Sequence, residues 1–301
     1  MADRIDALIT VSYGSHGVAR LKDGTLLDCK YRRQVGRPFC GDRVRVQQME
    51  QGTGAVEFIY PRRNQFVRAD RQQRQHIIAA NLDQVLVVIA VEPAPSKDLV
   101  ERYLLAVHSL EIAPVLVVNK TDLEQPGADP SGASALGRLD QYRALGYAVV
   151  RTCCKTEPGV SHLAPLLKDR TSILVGQSGV GKSSLVRALL PDLEIQVGAL
   201  SRVTGKGTHT TTTTTLFNLP GGGYLMDSPG VWEYGLWKLD EKDVARGFVE
   251  FRPYLDICRF NDCAHVSEPG CAVKLAVDTG AIAAWRYASY LRLLEQNATG
   301  H

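Results

Sequence analysis

The order of two polar motifs constrains the fold of this chain more than any other feature of its sequence. The motif NKTD, at 119–122, comes before the motif GQSGVGKS, at 176–183. The second motif fits the pattern GxxxxGK[ST], in which glycines let backbone N–H groups surround phosphates and the lysine reaches the outer phosphates. An apolar run, 171–175, precedes it and a helix-forming run follows it, and a strand, a glycine loop and a helix N-terminus together form an anion site. The sequence therefore predicts a phosphate-binding loop that follows NKTD instead of preceding it.

The motif NKTD has the chemistry to recognise a guanine base. Asp122 can accept hydrogen bonds from the N1–H and the exocyclic amine of guanine, while the Lys120 stem can lie along the purine face. Because adenine would leave the carboxylate unpaired, a preference for GTP over ATP follows. The motif comes after the apolar run 112–118, which is typical of a strand buried on both faces, and ligands bind at the carboxyl ends of such strands. An ordinary polar turn is the alternative.

A DxxG element lies downstream of the phosphate loop, at 227–230. It follows a short apolar run, 224–226, of the kind that forms a strand. Asp227 is predicted to hold Mg²⁺ directly or through water, and the Gly230 N–H is predicted to sense a γ-phosphate. An ordinary turn is the alternative for so short a pattern.

A run of six threonines, 210–215, follows His209 between the phosphate loop and the DxxG element. One of them is predicted to be the switch I threonine, which completes the contacts to Mg²⁺ and the γ-phosphate. Thr211 is our first choice, with Thr210 and Thr212 as alternatives. A solvated low-complexity loop is compatible with the same run, since such a switch must disorder when the phosphate leaves.

The last seventy residues contain a compact set of metal-ligand side chains. Three thiolates and one imidazole fill a tetrahedral zinc shell and leave no open position for a reactive water, so the predicted ion is structural. Free cysteines buried as small hydrophobic side chains are the alternative. The predicted ligands are Cys258, Cys263, His265 and Cys271.

Positive charge is concentrated at the N-terminal end of the chain. Residues 1–75 carry 14 Lys and Arg against 8 Asp and Glu, whereas the whole chain carries 35 against 32. Turn signals and alternating strand patterns in this segment favour a small basic β-barrel, which suits an OB-fold on nucleic acid. A solvated basic surface without a partner is the alternative. The candidate phosphate contacts are Arg32, Arg33, Arg37, Arg62, Arg63 and Arg68.

Length and composition favour a multi-domain α/β protein. The chain has 301 residues with 45% hydrophobic content, and from residue 81 onward strand-like runs alternate with helical patterns. No apolar stretch is long enough to span a membrane and no secretory signal is visible, so we expect a cytoplasmic protein without membrane contact. Seven cysteines, an odd number, do not suggest a disulfide framework.

The order of NKTD, phosphate loop, threonine run and DSPG resembles that of the circularly permuted GTPases. With its flanking segments, nearly the whole chain closely resembles the bacterial ribosome small-subunit-dependent GTPase A family. The resemblance implies an N-terminal OB-fold at 1–75, a circularly permuted P-loop GTPase domain with a doubly wound, mostly parallel sheet at 76–236, and a C-terminal helical zinc-binding domain at 237–301. It also implies late maturation of the 30S ribosomal subunit, with 16S rRNA as a partner. We expect a monomer.

GTP hydrolysis needs Mg²⁺, charge stabilisation and a positioned water. A water-orienting glutamine is expected after DxxG, but that position holds the apolar Val231. His209 is the nearest substitute and is also the residue that the resemblance indicates; a loop histidine that contacts phosphate or RNA is the alternative. The predicted catalytic residues are His209 and Lys182, and the predicted Mg²⁺ ligands are Ser183, Thr211 and Asp227. The predicted GTP contacts are Asn119, Lys120, Thr121, Asp122, Gly176, Gln177, Ser178, Gly179, Val180, Gly181, Lys182, Ser183, Ser184 and Gly230.

Two functions of different classes fit these predictions. The first is a GTPase that is stimulated by the small subunit and uses hydrolysis to time its release, with loss of the γ-phosphate relayed through the link after DSPG to the zinc domain. The second is an RNA-binding assembly module in which GTP binding is structural and hydrolysis incidental. A P-loop ATPase or kinase is a third option, against which NKTD argues. The segment 152–156 stands where a loop normally reaches guanine O6, although buried core cysteines also explain Cys153 and Cys154.

Overall fold

The structure is a computed structural model that describes residues 4–49, 52–69, 74–125, 134–156, 159–204, 213–228, 239 and 241–299. The N-terminal strands are β1 Arg4–Ser12, β2 His16–Leu21, β3 Leu26–Tyr31, β4 Arg43–Gln48, β5 Thr53–Ile59, β6 Gln65–Ala69 and β7 Gln75–Ala80. The α/β region contains β8 Gln84–Ala90, α1 Leu99–Ser109, β9 Ala113–Asn119, α2 Leu139–Ala144, β10 Ala148–Arg151, α3 Ala164–Leu167, β11 Thr171–Val175, α4 Lys182–Leu189, α5 Leu193–Thr204, β12 Thr215–Asn218 and β13 Tyr224–Asp227. The C-terminal helices are α6 Glu241–Gly247, α7 Arg252–Leu255, α8 Ala272–Asp278 and α9 Ala284–Thr299.

Strands β1 to β5 form a closed barrel in the order β1-β2-β3-β5-β4, with β4 returning to pair with β1. All neighbouring pairs are antiparallel except β3 and β5, which run parallel. The alternation expected of a half-buried strand is clear in β4, where Val44 and Val46 are buried in the barrel core and Arg43 and Arg45 are exposed. This five-stranded arrangement confirms the predicted OB-type barrel.

The α/β region is a doubly wound sheet, as predicted. Strands β10, β9, β8, β11 and β13 lie side by side and all run parallel. Strand β8 is buried along its whole length, because successive side chains enter two different cores. Val85, Val87 and Ile89 pack into one core, while Leu86 and Val88 pack into the other. The central strands therefore read as continuous apolar runs.

The barrel is joined to the edge of the α/β sheet. Strand β12 pairs antiparallel with β13, and its first residue, Thr215, pairs with Val11 of β1. The hairpin β6–β7 lies at this junction, on either side of the predicted boundary at residue 75. The predicted domain boundaries themselves stay predictions.

The C-terminal helices dock on α1 through buried polar contacts. Asp98, which precedes α1 with φ 62°, makes no side-chain hydrogen bond to cap that helix. Its carboxylate instead accepts hydrogen bonds from Ser289 Oγ at 2.7 Å and from Arg292 Nε at 2.6 Å, both on α9. Arg286 of α9, which is 2% exposed, forms ion pairs with Glu101 of α1 and with Glu250. Because buried charges are costly unless paired, these contacts fix the position of α9 against the core.

In the part of the chain that the structure describes, no helix has both the length and the apolar content that crossing a bilayer requires.

The junction between the barrel and the sheet predicts a sharp difference between two glycine substitutions. Gly41 has φ +88°, and a Cβ there would lie 2.2 Å from the Ala80 carbonyl oxygen and 2.5 Å from Met226 Cε. Gly36 has φ +84° with no heavy atom within 4 Å of such a Cβ. We expect Gly41→Ala to lower the free energy of unfolding by about 2 kcal/mol or more, and Gly36→Ala to lower it by about 1 kcal/mol. Both substitutions strain the backbone, but only Gly41→Ala also creates a clash with the backbone of Ala80. Urea denaturation would measure both, and equal midpoints for the two variants would contradict the expectation.

Candidate functional site

The predicted polar loops meet at one edge of the sheet. Because β8 to β11 and β13 run parallel, their carboxyl ends lie on the same side, and ligands bind in the crevice outside such ends. The loop 119–122 follows β9, the loop 152–156 follows β10, the loop 176–181 follows β11, and Asp227 ends β13. The inverted order in the chain therefore leaves the loops next to one another in space.

A direct hydrogen bond joins the NKTD motif to the phosphate loop. Asn119, which is 2% exposed, donates from Nδ2 to the Val180 carbonyl oxygen at 2.9 Å. Its Oδ1 accepts a hydrogen bond from Thr152 Oγ1 at 3.1 Å. Asn119, predicted as a GTP contact, thus holds three loops together. Thr152 begins the segment 152–156 that the sequence places near guanine O6, but its hydrogen bond to Asn119 was not predicted.

The phosphate loop has the backbone that an anion site requires. Gly181 adopts φ +93°, and a Cβ there would lie 2.4 Å from Asn119 Nδ2, so only glycine fits between the two loops. Helix α4 begins at the next residue, with Ser183 and Ser184 exposed in its first turn. The N–H groups at a helix N-terminus point out of the helix, and together with the positive end of the dipole they favour a bound anion at this point.

The Lys182 ammonium lies across this loop. It donates hydrogen bonds to the Gly176 carbonyl oxygen at 2.7 Å and to the Gln177 carbonyl oxygen at 2.8 Å. A phosphate group in the loop would offer this cation negatively charged oxygens, which make stronger hydrogen bonds than neutral carbonyls do. The arrangement is suited to stabilising the outer phosphates of a nucleotide.

The Asp122 carboxylate is held ready to accept hydrogen bonds. Cys153 donates from Sγ to Asp122 Oδ1 at 3.2 Å, and Lys155 Nζ lies 3.4 Å from Oδ2. The bond from Cys153, together with the Lys155 ammonium, lowers the pKa of Asp122, so this carboxyl is ionised at neutral pH. Cys153 is buried and Cys154 is exposed, so the interpretation of core cysteines fits only the first of the pair.

Lys120 adopts a left-handed backbone, with φ 58°, directly after β9. Its Nζ donates to the Glu92 carbonyl oxygen at 2.7 Å, in the loop that follows β8. The same loop receives weak contacts of 3.5 Å from Gln177 Nε2 to the carbonyl oxygens of Pro93 and Ala94. The loop after β8, absent from the sequence predictions, therefore lies against both the base-recognition motif and the phosphate loop.

Asp227 and Ser183 are the predicted Mg²⁺ ligands that the described residues include. Surrounding protein displaces enough water to raise the pKa of the Asp227 carboxyl, an effect that the nearby Lys182 ammonium opposes. The next residue, Ser228, shares a 2.8 Å hydrogen bond with Thr214 of the threonine run. His209, the candidate switch threonines Thr210, Thr211 and Thr212, Gly230 and the link that follows DSPG lie outside the described residues.

The four predicted metal ligands come together in the C-terminal region. Their ligand atoms all lie within 4.8 Å of one another. His265 Nδ1 is 3.5 Å from Cys258 Sγ and 3.4 Å from Cys271 Sγ, and these two sulfurs are 4.0 Å apart. A tetrahedral site with metal–sulfur bonds of about 2.3 Å places its sulfurs a little under 4 Å apart, so the cluster that includes Cys263 could hold a metal ion.

The backbone around this cluster is fixed by α9 and by one carboxylate. Tyr287 and Tyr290 donate from their hydroxyls to the carbonyl oxygens of His265 and Ala264, each at 2.7 Å. Glu268 accepts backbone hydrogen bonds from Ala264, Val266 and Ser267, which lower the pKa of its carboxyl. The ligand loop is therefore shaped by contacts other than the metal site itself.

Three of the six arginines predicted to contact RNA form hydrogen bonds or ion pairs within the chain, and the guanidinium carbon of a fourth, Arg37, lies 5.2 Å from the Phe39 ring centroid. Arg62 forms a bidentate pair with the buried Asp42, with Nε 2.7 Å from Oδ1. Arg63 pairs with Asp83 at 2.8 Å, and Arg32 donates to Gln47 at 2.8 Å. Arg33 and Arg37 are exposed, whereas Arg68 is half-buried.

Comparison with known proteins agrees with this geometry. The family model described as RsgA GTPase matches residues 59–237. A protein of Chromohalobacter salexigens named small ribosomal subunit biogenesis GTPase RsgA is 48% identical over 267 residues, which are 89% of this chain and 77% of that protein. A protein of the same name from Hahella chejuensis is 43% identical over 295 residues, 96% of this chain and 84% of that protein.

Two solved structures are similar over nearly the whole chain. YloQ, described as a circularly permuted GTPase, superposes with a TM-score of 0.78 at 25% identity, covering 99% of this chain and 96% of its own. YjeQ from Thermotoga maritima superposes with a TM-score of 0.76 at 29% identity, covering 98% of this chain and 99% of its own.

If Asp122 accepts hydrogen bonds from guanine as predicted, replacing it changes the base preference. In Asp122→Asn one carboxylate oxygen becomes an NH₂ group, which cannot accept a hydrogen bond from the guanine exocyclic amine. The same NH₂ can donate to the 2-carbonyl of xanthine, while the remaining amide oxygen still accepts from N1–H. We expect GDP affinity to fall by about 100-fold or more, and xanthosine diphosphate to bind better than GDP. Isothermal titration calorimetry would measure the affinity for each of the two nucleotides. The control is Glu124→Gln, which also changes a carboxylate to an amide, at a neighbouring residue that pairs with Arg151. Unchanged GDP affinity in Asp122→Asn would contradict the expectation.

The metal cluster predicts a specific effect of losing one thiolate. Cys263→Ser removes one of four ligands, so bound metal should be lost and the thermal midpoint of the C-terminal helices should fall, because metal binding free energy is also folding free energy. Inductively coupled plasma mass spectrometry would measure the number of metal ions bound per chain. Cys154→Ser changes an exposed cysteine outside the cluster and should retain the metal; equal metal content in the two variants would contradict the assignment.

Proposed function

The chain belongs to the RsgA GTPase family, and from this premise we propose that it hydrolyses GTP as a timer of its docking on, and release from, the maturing small ribosomal subunit. GTP hydrolysis in small-subunit biogenesis is the function that its relatives' name carries, and the identity with them confirms the predicted resemblance. The single observation that carries the proposal for this chain is the 2.9 Å hydrogen bond from Asn119 to Val180, which joins base recognition to phosphate binding.

Base and phosphate recognition divide between the two loops. Asp122 accepts the guanine N1–H and amine, and the Lys120 stem lies along the purine. The backbone N–H groups of the phosphate loop surround the phosphates, and Lys182 stabilises the charge on the β- and γ-oxygens. The remaining proposed GTP contacts are Asn119, Thr121, Gly176, Gln177, Ser178, Gly179, Val180, Gly181, Ser183, Ser184 and Gly230.

The proposed Mg²⁺ ligands are Ser183, Thr211 and Asp227. Two hydroxyls and a carboxylate are hard oxygen ligands, the type that Mg²⁺ prefers. When bound, Mg²⁺ neutralises part of the negative charge on the β- and γ-phosphates. Burial raises the pKa of the Asp227 carboxyl. A nearby Mg²⁺ would lower this pKa again, because a cation stabilises the ionised carboxylate.

We assign orientation of the attacking water to His209. A histidine side chain can accept a proton or donate a hydrogen bond near neutral pH, which Val231 after DxxG cannot do. Because this histidine stands beside the threonine run, its position depends on the order of switch I. Turnover is then slow until a partner orders this segment.

The cluster of Cys258, Cys263, His265 and Cys271 is proposed to bind one zinc ion. Thiolate and imidazole ligands in a tetrahedral arrangement favour zinc over Mg²⁺ or Ca²⁺. With four protein ligands the ion is closed to substrates, so its role is structural. It connects the ligand loop to α8, whose first turn is capped by Cys271 Sγ.

The proposed macromolecular partner is the 16S rRNA of the 30S subunit, contacted through the basic barrel. The excess of positive charge in residues 1–75 supports this role. The nucleotide site is built within one chain, which supports action as a monomer. A ribosomal partner also implies activity in the cytoplasm.

Turnover measured with and without purified 30S subunits tests the enzyme against a binding module with a structural nucleotide. We expect subunits to raise GTP turnover at least about 10-fold, Lys182→Ala to lower it by about 100-fold or more, and His209→Ala to lose most of the stimulation. ATP should not replace GTP. Absence of stimulation, with RNA binding that does not respond to nucleotide, would favour the binding module. Unchanged stimulation in His209→Ala would remove the histidine from the mechanism while leaving the GTPase intact.

A further inference from the structure

The outer face of strands β4 and β5 carries an aromatic and arginine cluster, which we call the β4–β5 platform. Its members are Arg43, Arg45, Phe58 and Tyr60. Arg45 and Phe58 are direct cross-strand partners, so their side chains lie on the same face. Phe58 is 48% exposed although it lies within a strand, and the Arg45 side chain is 46% exposed. A large aromatic side chain left in water beside a guanidinium is a feature of binding surfaces.

The platform is ordered by contacts among its own members. The Phe58 and Tyr60 rings meet edge to face, with centroids 5.3 Å apart and an interplanar angle of 86°. The guanidinium carbons of Arg43 and Arg45 lie 5.9 Å and 5.7 Å from the Tyr60 ring centroid. Tyr60 is fixed in turn, since its hydroxyl donates to Asp6 Oδ1 at 2.6 Å and accepts from Arg45 Nη2 at 2.8 Å. Such pre-organisation lowers the entropy lost when a ligand binds.

Charge on and around the platform favours an anionic polymer. Asp6 is the acidic neighbour, and its 3.8 Å pair with Arg45 is exposed and therefore weak. Glu57, which precedes Phe58, is engaged by Arg4 at 3.0 Å. The surrounding segment 1–75 carries a clear excess of Lys and Arg. By contrast, Arg62, a predicted phosphate contact, forms an ion pair with the buried Asp42.

We propose that the β4–β5 platform binds an unpaired RNA base by stacking on Phe58, while Arg43 and Arg45 contact the adjacent phosphates. Aromatic rings stack on bases of any sequence, and flanking arginines follow the backbone, which together form the recognition mode of single-stranded nucleic acid. The proposal rests on the proposed ribosomal function and names the surface and the kind of RNA that serve it. It also accounts for the exposure of Phe58 beside the register shift between β4 and β5.

Binding of a short fluorescein-labelled oligouridine to the full-length protein, followed by anisotropy, tests the stacking role. Phe58→Ala should weaken binding about 10-fold, and Phe58→Leu nearly as much, because leucine keeps apolar area but cannot stack. Phe58→Trp should retain binding. Met49→Ala changes another exposed apolar residue of the barrel and serves as the matched control.

The charge contribution is tested by salt dependence. Arg43→Gln should reduce the slope of the logarithm of affinity against the logarithm of salt concentration by about one, as loss of one phosphate contact requires. Lys30→Gln removes the same charge at another exposed position of the barrel and should leave the slope unchanged. Equal slopes for the two variants would contradict the arginine contact.

Two outcomes would overturn the proposal. The first is wild-type protein that does not bind oligouridine, and the second is oligouridine binding by Phe58→Ala equal to that of the wild type. If the variant in the second case also loses 30S binding, the platform contacts a protein partner. GTP affinity and intrinsic turnover of Phe58→Ala should stay unchanged, since the platform lies outside the nucleotide site. The proposed GTPase function fails by a different result, namely absence of stimulation of the wild type by 30S subunits.

Discussion

The hydrogen bond from the Asn119 amide to the Val180 carbonyl is the constraint on which the nucleotide site depends. It joins the NKTD motif to the P-loop motif at 2.9 Å, in a place where Asn119 is almost fully buried. Losing it would leave a buried donor and a buried acceptor without partners, at a cost of about 1–3 kcal/mol for each group. The same asparagine accepts from Thr152, so a third loop is held in register. The NKTD motif and the loop 176–181 therefore cannot move independently when a ligand contacts both of them.

Chain order does not enter this constraint, which is why the motifs can exchange their order without loss of the site. Parallel strands bring their carboxyl ends to one edge whatever sequence connects them. What the permutation changes is the attachment of the flanking units. Strand β1 of the barrel pairs with β12 at Thr215, directly after the threonine run, while α9 binds Asp98 ahead of α1. The barrel and the C-terminal helices thus contact different elements that border the nucleotide edge.

The motifs could be predicted because each consists of residues that lie close together in the sequence. A glycine with positive φ, such as Gly181, or a cluster of thiol and imidazole ligands has a meaning that short-range spacing carries. The arginines were harder, because an arginine's partner is set by the fold. The sequence predicts that Arg62 and Arg63 contact RNA but does not show their ion pairs with Asp42 and Asp83, each twenty residues away in the chain. Phe58 gave no sequence signal, since its exposure follows from the register of β4 against β5.

The sequence alone determined which chemical groups this protein carries: the NKTD motif, a P-loop motif, a DxxG element and a Cys₃His set that could hold a metal ion, together with a basic N-terminal segment. These follow from residue type and spacing, which are local. Only the tertiary structure decided which side chains are free to act and which hold the fold. Asn119 turned out to bridge loops, Cys153 to hold Asp122, and Asp98 to bind α9 in place of capping α1. The reason is physical: hydrogen bonds and ion pairs between segments distant in sequence form only when strand order and register bring them within about 3 Å.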